Sequence, residues 1–489
     1  MSQEQRIQEL EQENAQLREQ VNRQQKQLQQ IDELEAVIHQ LEERIQELEE
    51  RLAKNSHNSS KPPSSDGFKR RKYSQRKPSS RPTGGQPGHE GQTLRRSETP
   101  DAILIHRPKI CQECQADLQK SAGEISETRQ VMDIPPPATL IVTEHRVVRV
   151  HCPQCGKQST GVFPEEVKAE VQYGPELRSL AVYLYHYHHI SLERTCEALE
   201  DLVGVHISEG TVQVWVEEAA RRAEPIVEQI VERIKASPHM GGDETGIRIA
   251  GKLHWMHVAS TKWVTHLAWH QKRGRAAMDA MGIWTEYSGK AMHDRLMSYE
   301  KYPCVHRLCK AHLIRDLTYL EEVKKLAWAG SMRELLVEMH HAAKEWLAKG
   351  VLQIPEDERK GWITHYFALI LLGYQQIPPL LETSTPHKGK KKQHPAKLLL
   401  DVLSVRAEQV IGFVDDTAED FTNNQREQDL RMVKVKEKVS GGFRSEAGAT
   451  AFCALRSVVS TFRKQSHRAF AIIRSLFHRD PIPFALSLD

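Results

Sequence analysis

Long apolar runs are missing from these 489 residues. The longest, such as Phe367 to Leu372, fall far short of the roughly 20 residues that cross a bilayer. The first residues are charged and glutamine-rich instead of apolar. A membrane span and a secretory leader are therefore not expected, and the chain reads as cytoplasmic. Cysteine is scarce, eight in all: four form two C-x-x-C pairs, and Cys196, Cys304, Cys309 and Cys453 are scattered. That usage suits a reduced compartment with a metal site better than a disulfide framework, with four free structural cysteines as the alternative to the metal. Net charge is small as well, +3, so bulk electrostatics alone imply no nucleic-acid partner.

The distribution of charge says more. Residues 1–53 carry thirteen acidic against six basic side chains, whereas residues 54–97 carry eleven Lys or Arg against Asp66 and Glu90. In the first stretch Ile7, Leu10, Asn14, Leu17, Val21, Gln24, Leu28 and Ile31 alternate spacings of three and four, the a/d seam of a coiled coil. A second step of three, to Leu34, reads as a stammer before the seam resumes through Ile38, Leu41, Ile45, Leu48 and Leu52. Asn14 at an a position favours one register and a parallel dimer, so a homodimer is expected, with a single amphipathic helix lying on the protein body as the alternative. The second stretch, dense in Ser, Pro, Gly, Lys and Arg, lacks the apolar residues for a core and reads as a flexible arm. Its Arg70, Arg71 and Lys72 are candidates for phosphate contacts, against a plain solvated linker.

Cys111-x-x-Cys114 and Cys152-x-x-Cys155 can present four thiolates tetrahedrally to Zn²⁺. The alternation of Thr139 to Val150 suggests a strand pair between them, making a zinc-ribbon-like module over residues 98–165. From residue 173 to 235 helices are expected. Leu192 to Leu202, then Gly204, then Ser208 as an N-cap follow the helix-turn-helix order, with Thr211 and Gln213 as candidate DNA contacts. A plain helical bundle fits the same residues.

Short alternating segments follow: Asp243 lies in the first, and Lys290 to Asp294 forms a later strand ending in an acid. Glu427 opens a helix at NNQREQDLR, one turn before Arg431 on the same face. Two acids from strands and one from a helix suit a pair of Mg²⁺ or Mn²⁺ ions serving phosphodiester chemistry, although caps and surface charges explain isolated acids equally well.

The chain resembles the insertion-sequence 66 family of bacterial DDE transposases. The likeness is carried by NSHNSSKPPSSD at 55–66, GGQPGHEG at 84–91, the two C-x-x-C pairs, GGDETG at 241–246, HD at 293–294, CKAHLIRDL at 309–317 and NNQREQDLR at 423–431. The resemblance implies an α/β ribonuclease-H-like catalytic core in which Asp243, Asp294 and Glu427 are the catalytic, magnesium-binding residues. It also implies a largely helical insertion, accounting for the 132 residues between Asp294 and Glu427. The expected order is coiled coil at 1–53, basic flexible linker at 54–97, zinc-ribbon-like module at 98–165 and helical region at 173–235. The first part of the core follows at 238–310, the helical insertion at 311–415, and the rest of the core with C-terminal helices at 416–489. The activity expected is metal-dependent cleavage and transfer of double-stranded DNA at an element's terminal inverted repeats. The alternative is a DNA-binding regulator with an inactive core. Cys309 and His312 sit in the catalytic part without an obvious second ligand pair, and a hydrogen-bonding or packing role is expected of them.

Overall fold

The computed structural model describes residues 3–59, 61, 97–100, 103–105, 113, 115, 117, 120, 125, 128–130, 140–151, 154, 158–160, 162–377 and 393–478. Two compact units form: Met1–Arg71 with Ala169–Thr195 and Ser208–Asp489, and Lys72–Lys168 with Cys196–Ile207. None of the described helices is long and apolar enough to cross a membrane.

The larger unit begins with one continuous helix, α1 (Gln3–Ala53). Its heptad residues Leu17, Val21, Leu28, Ile31, Leu34, Ile38, Leu41 and Ile45 are each at least half exposed, so none of the described residues covers this stretch of the seam. The C-terminal end of α1 is anchored. Glu50 pairs with Lys324 and accepts from the Tyr319 hydroxyl at 3.3 Å, and the Lys54 ammonium lies 5.0 Å from the centre of the Tyr319 ring. Residues 54–59 depart from the expected flexible arm. Asn55 Oδ1 accepts from the amides of His57 and Asn58, while the Asn58 side chain donates to Ala53 O and accepts from the Asn55 amide. Paired asparagine side chains satisfy the last carbonyls and the following amides of the helix, which composition alone does not reveal.

In the smaller unit β1 (Arg149–His151) pairs antiparallel with β2 (Gln158–Thr160). The strand pair expected over Thr139 to Val150 is displaced: residues 140–148 have no regular structure. The pairing flanks the second C-x-x-C in sequence.

Helices α2 (Pro175–Val182), α3 (Leu192–Val203) and α4 (Glu209–Lys235) follow, with a π-helical turn at Tyr183–Tyr187 directly after α2. Gly204 adopts φ 72° after α3, and the Ser208 hydroxyl accepts the Thr211 amide at 3.2 Å as the N-cap of α4.

A five-stranded mixed sheet comes next. β3 (His239–Ile249), β4 (Lys252–Ser260) and β5 (Thr265–His270) form an antiparallel meander. Its first turn carries Ala250 and Gly251 at φ 49° and 78°, the left-handed pair that a two-residue hairpin needs. After α5 (Arg275–Ala280) the chain returns to pair β6 (Lys290–His293) parallel to β3, and β7 (Val305–Leu308) parallel to β6. The sheet order is β5-β4-β3-β6-β7.

Among the described residues only helices lie between β7 and the next sheet-packed helix: α6 (Lys310–Glu322), α7 (Ala327–Ala348), α8 (Glu356–Gln375), α9 (Pro395–Val405) and α10 (Ala407–Ile411). They enclose their own core, with Leu317, Trp328, Leu336, Tyr366, Leu400 and Phe413 buried. The chain then rejoins the sheet through α11 (Asn424–Ser440), α12 (Glu446–Lys464) and α13 (Ala469–Phe477). Ile247, Ile249, Met256, Val258 and Leu267 of the sheet pack against Leu430 and Val433 of α11 and Phe452 and Cys453 of α12.

Candidate active site

Asp243 sits inside β3, opposite Val258 of β4. The β3–β6 pairing runs from His239↔Lys290 to Gly241↔Met292. Two residues further on each strand stand Asp243 and Asp294, so the parallel register brings them level where β6 stops. Alternation then assigns the faces. Odd-numbered Gly241 touches Arg426 of α11, whereas Gly242 touches the rings of Trp284 and Tyr299 on the other side. Asp243 therefore shares the face of α11, which carries Glu427, and Glu244 turns away.

What docks α11 there is local and specific. Asn423, its N-cap, donates from Nδ2 to Gly242 O at 2.9 Å. Arg426 is buried, donates to Ser260 O from Nε at 3.3 Å and Nη2 at 3.0 Å, and pairs with Asp420. A methyl group on Gly241 would overlap that guanidinium, so the glycine permits the close approach of the helix whose next residue is Glu427. Asp429 closes the fit by accepting from the Thr265 hydroxyl at 3.2 Å and from Lys464 at 3.0 Å.

Burial pushes the Asp243 carboxyl up to about 7, the charge of Glu244 adds to it, the Glu244 amide opposes it, and Glu427 and Asp294 raise it further. Burial also raises Glu244, as does Asp294. Against this, Glu244 accepts from the Tyr299 hydroxyl at 2.7 Å and Arg273 Nε at 2.9 Å. Tyr299 stacks on His293, the residue before Asp294, with ring centres 4.6 Å apart. Asp243, Asp294 and Glu427 each offer the carboxylate oxygens that a divalent cation takes, and each is half-buried.

Sequence reasoning missed Asn423, Arg426, Tyr299 and Arg273. The adjacent glycines before Asp243 were a usable signal, because paired glycines in a strand mark close approach of other groups. Cys309, the N-cap of α6, accepts the Asn423 amide at 3.2 Å and donates its own amide to His293 O at 2.9 Å. Burial raises its thiol, but hydrogen bonds with His312 and with the amides of Asn423 and His312 bring it below the ordinary value. Cys309 thus bonds both the end of β6 and the N-cap of α11.

Other candidates fare differently. Thr211 spends its hydroxyl on Ser208 at 2.9 Å and Gln213 its amide on Glu217 at 3.1 Å, and both are half-buried. Local capping and pairing along the helix compete with the outward reach expected of them. Arg70, Arg71, Lys72, Cys111, Cys114, Cys152 and Cys155 lie outside the described residues. Among the described residues one group, His239, Asp416 and Glu419, has ligand atoms all within 4.8 Å of one another, and it does not include Asp243, Asp294 or Glu427. The Lys290 ammonium already bridges Asp416 at 2.6 Å and Glu419 at 3.1 Å, and Arg307 bonds Glu419 at 2.8 Å. That group is a neutralised ion network tying the strand starts to the segment before α11.

Residues 170–451 match the transposase IS66 family, residues 108–156 the zinc-finger binding domain of transposase IS66, and residues 1–95 a family of unknown function. The chain belongs to the transposase IS66 family. It is a DNA-binding transposase with a zinc-finger domain, and that domain supports a Zn²⁺ requirement. All four C-x-x-C cysteines fall inside the zinc-finger match. Comparison with curated proteins returned no match.

Proposed function

We propose that the protein cleaves and joins DNA strands at the terminal inverted repeats of its own element, using Asp243, Asp294 and Glu427 to hold Mg²⁺ or Mn²⁺. What supports this is placement: Asp243 lies on β3, Asp294 directly follows the parallel strand β6, and α11, which carries Glu427, is docked beside them through Asn423 and Arg426. The sheet order, three antiparallel strands followed by two parallel ones, supports reading the core as ribonuclease-H-like. Bound cations would supply Lewis acidity and an activated water or 3′-hydroxyl. Asp243 and Asp294 present oxygens from the sheet, Glu427 from the helix, and Arg426 and Asn423 hold that helix in place. Zn²⁺ on Cys111, Cys114, Cys152 and Cys155, α4 from Ser208 onward with Thr211 and Gln213, and the basic arm with Arg70, Arg71 and Lys72 serve DNA binding in this reading. A regulator with an inert core would have no use for buried acids that repel one another. Purified protein incubated with duplex DNA carrying the element ends should give cleaved and joined products with Mg²⁺ and none with chelator; products independent of metal would refute the proposal.

A pH dependence follows from the same acids. Below pH about 7 Asp243 holds a proton, which a divalent ion must displace. Half-saturating Mg²⁺ should therefore fall by up to roughly tenfold per pH unit on the acid side and level off above it. Mg²⁺ titrations of cleavage at about pH 6 and about pH 8 check this; equal half-saturation would contradict it.

The exposed seam of α1 supports a parallel coiled-coil homodimer, which would bring two element ends together. A chain beginning at Gln46, which keeps the Glu50–Lys324 anchor, should sediment at half the mass of the full-length protein. An unchanged mass would count against the dimer.

A further inference from the structure

We infer that Cys309, acting through Asn423, is a positioning residue that sets the spacing of the three carboxylates. The inference rests on the reading of Asp243, Asp294 and Glu427 as metal ligands. Each of these acids is preceded in its segment by a residue tied into one small network. The Cys309 amide donates to His293 O at 2.9 Å, directly before Asp294. The Cys309 sulfur accepts the amide of Asn423 at 3.2 Å, the N-cap of the helix bearing Glu427. The Asn423 side chain donates to Gly242 O at 2.9 Å, directly before Asp243. Beside them the Lys310 amide donates to Phe421 O at 3.2 Å, so the start of α6 is laced to the segment entering α11.

Both residues are nearly inaccessible, Cys309 at 2% and Asn423 at 1%, so water cannot substitute for the lost bonds. The network joins three segments that are remote in sequence at one point, beneath the acids and not among them. Cys309 therefore touches no substrate or cation. It fixes where α11 begins, and with it the distance of Glu427 from the sheet. Groups that orient ligands in this way typically change metal affinity by about 10- to 100-fold when removed.

The test is Mn²⁺ binding by the zinc-loaded full-length protein, read by electron paramagnetic resonance, alongside Mg²⁺-dependent cleavage. Cys309→Ala and Asn423→Ala should each weaken Mn²⁺ binding by about 10- to 100-fold. Cys309→Ser should recover most of that loss, because its hydroxyl oxygen accepts the same amide. Wild-type affinity in either alanine variant, or a serine variant no better than alanine, would overturn the inference. Should Cys309→Ala fail to fold, Asn423→Ala and Cys309→Ser decide it alone. Asp243→Asn is the parallel control. If it binds Mn²⁺ normally, the carboxylate assignment has failed, independently of the clamp.

Discussion

Asp243→Asn, Asp294→Asn and Glu427→Gln are each expected to depress strand cleavage and joining by about a thousandfold while leaving binding to element ends intact. A divalent ion needs anionic oxygen, and a neutral amide in its place forfeits several kcal/mol of charge stabilisation; about 1.36 kcal/mol corresponds to each tenfold in rate. The zinc-finger match at 108–156 and the basic arm lie elsewhere in the chain, so DNA retention should survive. Glu244→Gln separates position from charge. It faces Tyr299 and Arg273 on the far side of the sheet, and glutamine keeps an acceptor oxygen there. Its activity should fall far less. Because the Glu244 charge helps raise Asp243, its removal should shift the acid-side loss of Mg²⁺ affinity to lower pH. Cleavage assays with a gel-shift control measure both quantities. Full activity in any of the three ligand variants would remove that residue from the site.

Gly242→Ala should be the most damaging single methyl in the sheet. A Cβ at this position would overlap the buried ring of Trp284, with Cη2 at 2.9 Å, and would press on Tyr299 at 3.2 Å. Trp284 packs on Tyr299 with ring centres 4.7 Å apart, so neither ring has room to yield. Overpacking of this kind costs about 1–3 kcal/mol, and Tyr299 would carry the displacement to Glu244 and His293. Gly361→Ala provides the opposite sign. Gly361 lies exposed within α8, with nothing within 4 Å of an added Cβ, and alanine there should stabilise the helix by about 0.5–1 kcal/mol. Thermal unfolding of the two variants reads both effects. A Gly242→Ala protein as stable as the parent would mean the ring can retreat.

The residues themselves were enough for whatever depends on neighbours a few positions apart. The three-four spacing from Ile7 to Leu52 demanded one long helix, Ser208 announced its cap, and alternation marked the β3–β4–β5 meander and the strand before Asp294. The motifs also named the acids in order. Their placement was another matter. Asp294 follows β6 because that strand pairs parallel to β3, and the helix carrying Glu427 packs on β3 because Gly241 leaves room for Arg426. Close packing between segments over a hundred residues apart has no local period to read. For the same reason the bonding of Cys309 with Asn423, the retreat of Thr211 into its cap and the folding of Asn55 against Asn58 were decided only in three dimensions. Each depends on which polar group lacks a partner once the chain is packed, and composition and spacing do not encode that.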